Sequence, residues 1–134
     1  MIPSAAKCFT LILLLGFALS VCGAKTENVL SGYGFDEAAI SPKVLSARFR
    51  AGEPFSLVLK PVQFRDSFLE LIIYSISPKG ETHRVRSISL SGIDTNENFF
   101  MIGDAFHIPF PGRYRISFEQ MGMVLGCTEV EIIP

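Results

Sequence analysis

With 134 residues, 12 lysines and arginines against 13 aspartates and glutamates, and no tryptophan, this chain holds one domain's worth of sequence and almost no net charge. A near-neutral balance argues against nucleic acid, or an acidic membrane surface, as the main partner. No internal repeat and no low-complexity tract is present, which sets aside solenoids and biased tails.

Lys7 closes a short positive start, and the 17 residues from Cys8 to Ala24 carry no charge. Phe9, Leu11, Ile12, Leu13, Leu14, Leu15 and Phe17 form an apolar centre, followed by the small residues Ala18, Ser20, Gly23 and Ala24. That order of regions predicts a secretory signal peptide over 1–24 and an exported protein, in the periplasm, on the cell surface or outside the cell. The run also sits at the lower edge of the ~17–25 residues a membrane-spanning helix needs, so an uncleaved anchor is the other reading.

The end of the signal decides the cysteine chemistry. A cut after Ser20 uses Ala18-Leu19-Ser20 and keeps Cys22, whereas a cut after Ala24 removes it. Leu19-Ser20-Val21-Cys22 resembles the lipobox of bacterial lipoproteins, which implies lipidation of Cys22, although Val21 stands where that family has Gly, Ala or Ser. Membrane attachment would follow only from that lipidation or from an uncleaved signal. If Cys22 survives unlipidated, a disulfide to Cys127 would close a loop of about a hundred residues and contribute roughly 2–4 kcal/mol. Otherwise Cys127 is a lone thiol.

Beyond the signal, residues 25–42 lack apolar periodicity, and Ser31-Gly32-Tyr33-Gly34 predicts a flexible tether. From residue 43 to 134, short apolar runs alternate with turn signals in the rhythm of an antiparallel sandwich of about seven strands. Val44 to Phe49 is the first strand. Phe55, Leu57 and Leu59 alternate with Ser56, Val58 and Lys60 in a half-buried second strand that Pro61 ends. Phe68 to Ile76 is apolar on both faces, which predicts a central strand covered on both sides, or one whose outer face, Leu69, Leu71 and Ile73, meets a partner. Thr82 to Leu90 returns with a change of phase near Ser87, as a bulge would give. Phe99 to Ile102 and Ala105 to Ile108 follow a polar loop.

In the last hairpin Tyr114, Ile116 and Phe118 face one way and Arg113, Arg115, Ser117 and Glu119 the other. A three-residue loop, Met121-Gly122-Met123, sets Arg115 opposite Glu129 and Arg113 opposite Glu131. A two-residue loop would push Glu129 into the core against Tyr114.

Two segments, Ala51-Gly52-Glu53-Pro54-Phe55-Ser56-Leu57-Val58-Leu59 and Pro111-Gly112-Arg113-Tyr114-Arg115-Ile116, resemble bacterial immunoglobulin-like modules. The resemblance covers the passage between the first two strands and the corner before the sixth, about 15 residues. It implies an immunoglobulin-like β-sandwich in which Tyr114 is a tyrosine corner bonded back to upstream backbone. The fold hosts many functions, so none comes with it.

Chemistry-bearing residues are sparse. Asp104 and His107 have a spacing that metal ligands use, but no further histidine or cysteine stands beside them, so neither metal nor cofactor is expected. Two histidines and no Gly-x-Ser-x-Gly elbow give no basis for an enzyme. Arg84, Arg86, Arg113 and Arg115 read as a solvated face neutralised by Glu119, Glu129 and Glu131. Met121, Gly122 and Met123 at the hairpin tip either offer adaptable apolar contacts to a partner or plug one end of the sandwich core. Together these features predict an exported, non-catalytic binding or accessory module of the cell envelope, with another envelope or extracellular protein as partner and no nucleic acid. The alternatives are a small secreted hydrolase inhibitor and a lipid-anchored envelope subunit.

Overall fold

The computed structural model describes residues 28–103 and 106–134. The predicted signal peptide, its cut and Cys22 lie outside these residues, as does Asp104. Among the described residues nine strands form two sheets: β1 (Val29–Tyr33), β2 (Val44–Leu45), β3 (Arg48–Arg50), β4 (Ser56–Leu59), β5 (Leu69–Ile76), β6 (Thr82–Leu90), β7 (Phe100–Ile102), β8 (Gly112–Gln120) and β9 (Met123–Ile133). One sheet has the order β3-β9-β8-β5-β6 and the other β2-β1-β4-β7. Val29, Leu57 and Leu59 from the smaller sheet, Phe55 just before β4, and Leu71, Ile73, Ile116, Phe118 and Val130 from the larger sheet meet in one core. The all-β architecture is therefore the expected one. Burial of the apolar side chains that face between the sheets drives the two layers together.

The expected tether contains a strand. Val29–Tyr33 pairs with β4 on one side and β2 on the other, and Val29 is buried. Gly32, read as a sign of flexibility, is a close-approach residue: a Cβ there would lie 2.0 Å from the carbonyl oxygen of Val44. The hydroxyl of the neighbouring Ser31 donates to the Ser46 carbonyl at 2.6 Å.

The expected first strand is split in two. Val44 and Leu45 pair with β1 in the smaller sheet, whereas Arg48–Arg50 runs parallel to β9 in the larger. Ser46 and Ala47 carry the chain from one layer to the other, and Phe49 then enters the core. The second strand is buried on both faces, because the segment after β1 folds over its outer side. Ser56 Oγ donates to the Gly34 carbonyl at 2.8 Å, and the Lys60 ammonium donates to that of Ala39.

Strand β5 is internal, as expected, but its faces are reversed. Leu69, Leu71 and Ile73 are 0–2% exposed and line the core. They form no outer contact surface. Phe68, which suggested the opposite parity, precedes the strand and stands 62% exposed. Glu70, whose carboxylate must stay wet, shares the outer face with Ile72 and Tyr74.

The last hairpin has the expected register from Phe118 inward, with Glu129 opposite Arg115 and Val130 opposite Tyr114. It gets there differently. Met121 and Gly122 form a two-residue turn, Met123 pairs with Gln120, and a register shift between Val124 and Gly126 restores the parity. Both turn residues have positive φ, 51° and 77°, the backbone pattern of a turn whose twist suits a hairpin. The charge of Glu129 is kept out of the core by a bulge rather than by a longer loop. Of the expected strand Ala105 to Ile108, Ala105 lies outside the described residues and the rest is not a strand; Phe106 and Ile108 instead accept hydrogen bonds from the backbone N–H groups of Phe55 and Gly52.

Candidate functional site

Where β6 forms the edge of the larger sheet, an open cleft of about 440 Å³ lies between β5, β6 and the 108–110 segment. Ile73, Ser75, Val85, Arg86, Ile108, Pro109, Phe110 and Tyr114 line it. Two local devices build it. The first is the bulge in β6, which lies at Val85: Ile73 pairs with Arg86 and Tyr74 with Arg84, leaving Val85 as the extra residue. In a regular strand Val85 and Arg86 would point to opposite faces; the bulge turns both toward the cleft.

The second device is the corner before β8. Pro109 and Pro111 fix the backbone on either side of Phe110. Gly112 has a φ of 147°, and a Cβ there would meet the Tyr114 ring at 3.5 Å. The Tyr114 hydroxyl donates to the Phe110 carbonyl at 2.9 Å. Upstream, the Gly52 N–H reaches the Ile108 carbonyl at 2.9 Å. Phe110 is thus held at both ends of its segment while its ring remains 70% exposed, facing Val85 at 55%. Two large apolar side chains left in water at the rim of a formed cleft mark a surface that gains by being covered.

The other residues singled out by the sequence fall elsewhere. Arg113 pairs with Glu129 at 3.2 Å and Arg48 with Glu131 at 3.1 Å, so each glutamate takes a diagonal or next-strand partner rather than the one directly opposite. Arg115 lies over the Tyr74 ring with its guanidinium carbon 4.3 Å from the centroid. Glu119 accepts from the hydroxyls of Tyr74 and Ser117. Arg84 and Arg86 do not continue this strip as one face: the bulge sends Arg86 to the cleft. Met121 and Met123 are 68% and 50% exposed at the hairpin tip, whereas Leu69, Leu71 and Ile73 are buried. Cys127 is buried and disulfide-bonded. No group of three His, Cys, Asp or Glu side chains that could hold a metal occurs among the described residues.

The sequence reading missed Ile108 and Phe110 as site residues. The phase change in β6, placed near Ser87 in the sequence and found at Val85, was the available signal for the bulge. Nothing in the spacing of residues showed that the bulge would face the Pro109-Phe110-Pro111 segment, since the two are brought together only by the layering of the sheets.

No protein-family model and no curated protein matches the chain. A solved structure to which it is similar is the Pseudomonas fluorescens alkylpurine DNA glycosylase AlkC bound to DNA containing an abasic site analog, at 17% identity and a TM-score of 0.39. The match covers 88% of this chain and 33% of the glycosylase. That protein is an enzyme and is bound to DNA, opposite to the sequence expectations of a non-catalytic envelope module, of no enzymatic activity and of no nucleic-acid partner. Those three expectations are withdrawn. A likeness this low carries no argument for glycosylase chemistry or DNA binding here.

Proposed function

We propose that this chain is an exported, immunoglobulin-like β-sandwich that binds a small, largely apolar ligand in the cleft between β5, β6 and the Pro109-Phe110-Pro111 segment. The observation that carries the reading is the cleft, walled by residues of three elements, with Phe110 and Val85 exposed at its rim. Its size falls in the range of small-molecule sites, ~300–1,000 Å³, and it combines apolar walls with a few polar groups, as such sites do. The bond from Tyr114 to Phe110 supports both the immunoglobulin-like reading, as a tyrosine corner, and a rim that is formed before any ligand arrives. The passage of the chain from one sheet to the other at Ser46-Ala47 is further support for that fold. The uncharged run from Cys8 to Ala24 supports export, and the mass of the mature protein would report the cut.

The neutral fluorescent probe N-phenyl-1-naphthylamine tests the site. The native protein is expected to bind it with a blue-shifted, enhanced emission, and Phe110→Asp, a change at an exposed position, is expected to remove that binding while leaving the unfolding midpoint nearly unchanged. No enhancement with the native protein, or equal enhancement with Phe110→Asp, would reject the cleft as a ligand site.

A further inference from the structure

We propose that the ligand of this cleft carries a single anionic group, held by the guanidinium of Arg86 beside an apolar, ring-bearing body. The inference rests on the ligand-binding reading and adds the charge of what is bound. No aspartate or glutamate lines the cleft, and the hydroxyl of Tyr114 is engaged by the Phe110 carbonyl. Arg86 and Ser75 are the polar side chains left to meet a ligand.

Arg86 differs from the arginines of the opposite sheet face. Arg48 and Arg113 each have a glutamate and Arg115 has an aromatic ring, whereas Arg86 makes no ion pair among the described residues. The strand that carries it, Thr82–Leu90, holds His83, Arg84 and Arg86 and no acid. Arg86 is exposed at the cleft, free to meet an anion with a charge-assisted hydrogen bond while the apolar walls take the rest of the ligand. It repels a cationic ligand and gives a neutral one no advantage. The planar, forked guanidinium suits a carboxylate, sulfonate or phosphate, all of which present paired oxygens.

The same charges disfavour a second copy of the chain as the occupant. Antiparallel pairing of β6 with its own copy centred on Val85 would set Arg84 opposite Arg86, twice, and like charges directly opposite oppose pairing.

The test compares two probes with one ring system on the full chain: 8-anilinonaphthalene-1-sulfonate, which is anionic, and N-phenyl-1-naphthylamine, which is not. The sulfonate is expected to bind roughly tenfold more tightly, an advantage typical of one charge-assisted contact at a partly open site. Arg86→Gln should erase that advantage, bringing the sulfonate to the affinity of the neutral probe in the same variant, and added salt should weaken only the sulfonate. Equal affinities in the native protein, or a sulfonate advantage that survives Arg86→Gln, would overturn the assignment of charge while leaving the cleft a ligand site. Failure of both probes to bind would sink the ligand-binding reading and this inference with it. If sedimentation then shows a dimer, the cleft belongs to a second copy.

Discussion

Gln120, only 4% exposed, ends β8 inside the protein with both side-chain N–H donors and its carbonyl oxygen engaged. Its Nε2 donates to the carbonyls of Asp66 and Phe68 at 2.7 and 2.6 Å, and its Oε1 accepts the Arg65 N–H at 2.9 Å. This one amide replaces the pairing that the 65–68 loop lacks, and so fixes where β5 begins. Gln120→Met keeps the volume and strands those backbone groups away from water. A loss of about 2–4 kcal/mol is expected in urea unfolding, well above the effect of an exposed substitution. This role is not legible in the sequence, because a polar side chain's partners 52 to 55 positions away leave no periodic trace.

At the level of elements, the strands with strict alternation were the legible ones. Tyr114, Ile116 and Phe118 alternate with Arg113, Arg115 and Ser117, and β8 buries the first set, with Ser117 of the second set buried as well. Elements whose side chains answer to two neighbours at once were not legible. β1 looked like a tether because its glycine marks the close approach of β2, and β5 looked outward-facing because Phe68 was counted into its pattern. In the last hairpin the cost of burying Glu129 correctly set the register, but the tip left two solutions open, and a bulge near Leu125 is the one adopted. Met121 consequently takes a φ of 51°, where a non-glycine side chain is unfavourable and asparagine is tolerated best. Met121→Asn should therefore raise stability by about 0.5–1 kcal/mol, read as a higher denaturant midpoint with an unchanged slope. A fall would show that the exposed methionine packs against the hairpin more than it strains it.

For the molecule as a whole, one core joins the two sheets, and phenols sit at its margins. Burial pushes the hydroxyls of Tyr33 and Tyr114 above the ordinary tyrosine value, and for Tyr33 the hydrogen bond to the Glu53 carboxylate adds to it. A raised value in the fold keeps each phenol neutral, so its contribution to stability is complete below about pH 10 and is lost as the pH rises through the folded-state values. Stability in urea should fall above pH 10, and Tyr114→Phe should lessen the fall although it removes the bond to Phe110. A fall just as steep in the variant would place the sensitive group elsewhere.

The cleft is a property of this scale too. Its residues come from β5, β6, β8 and the segment before β8, and no stretch of sequence holds enough of them to show a site. An amide-resolved NMR titration of the full chain with 8-anilinonaphthalene-1-sulfonate tests the account most directly. Shifts are expected to concentrate at Ser75, Val85, Arg86, Phe110 and Tyr114, with Phe68 and Met121 at their free positions. Shifts centred on Phe68 and Met121–Met123, or none at saturating probe, would contradict a ligand site beside Arg86.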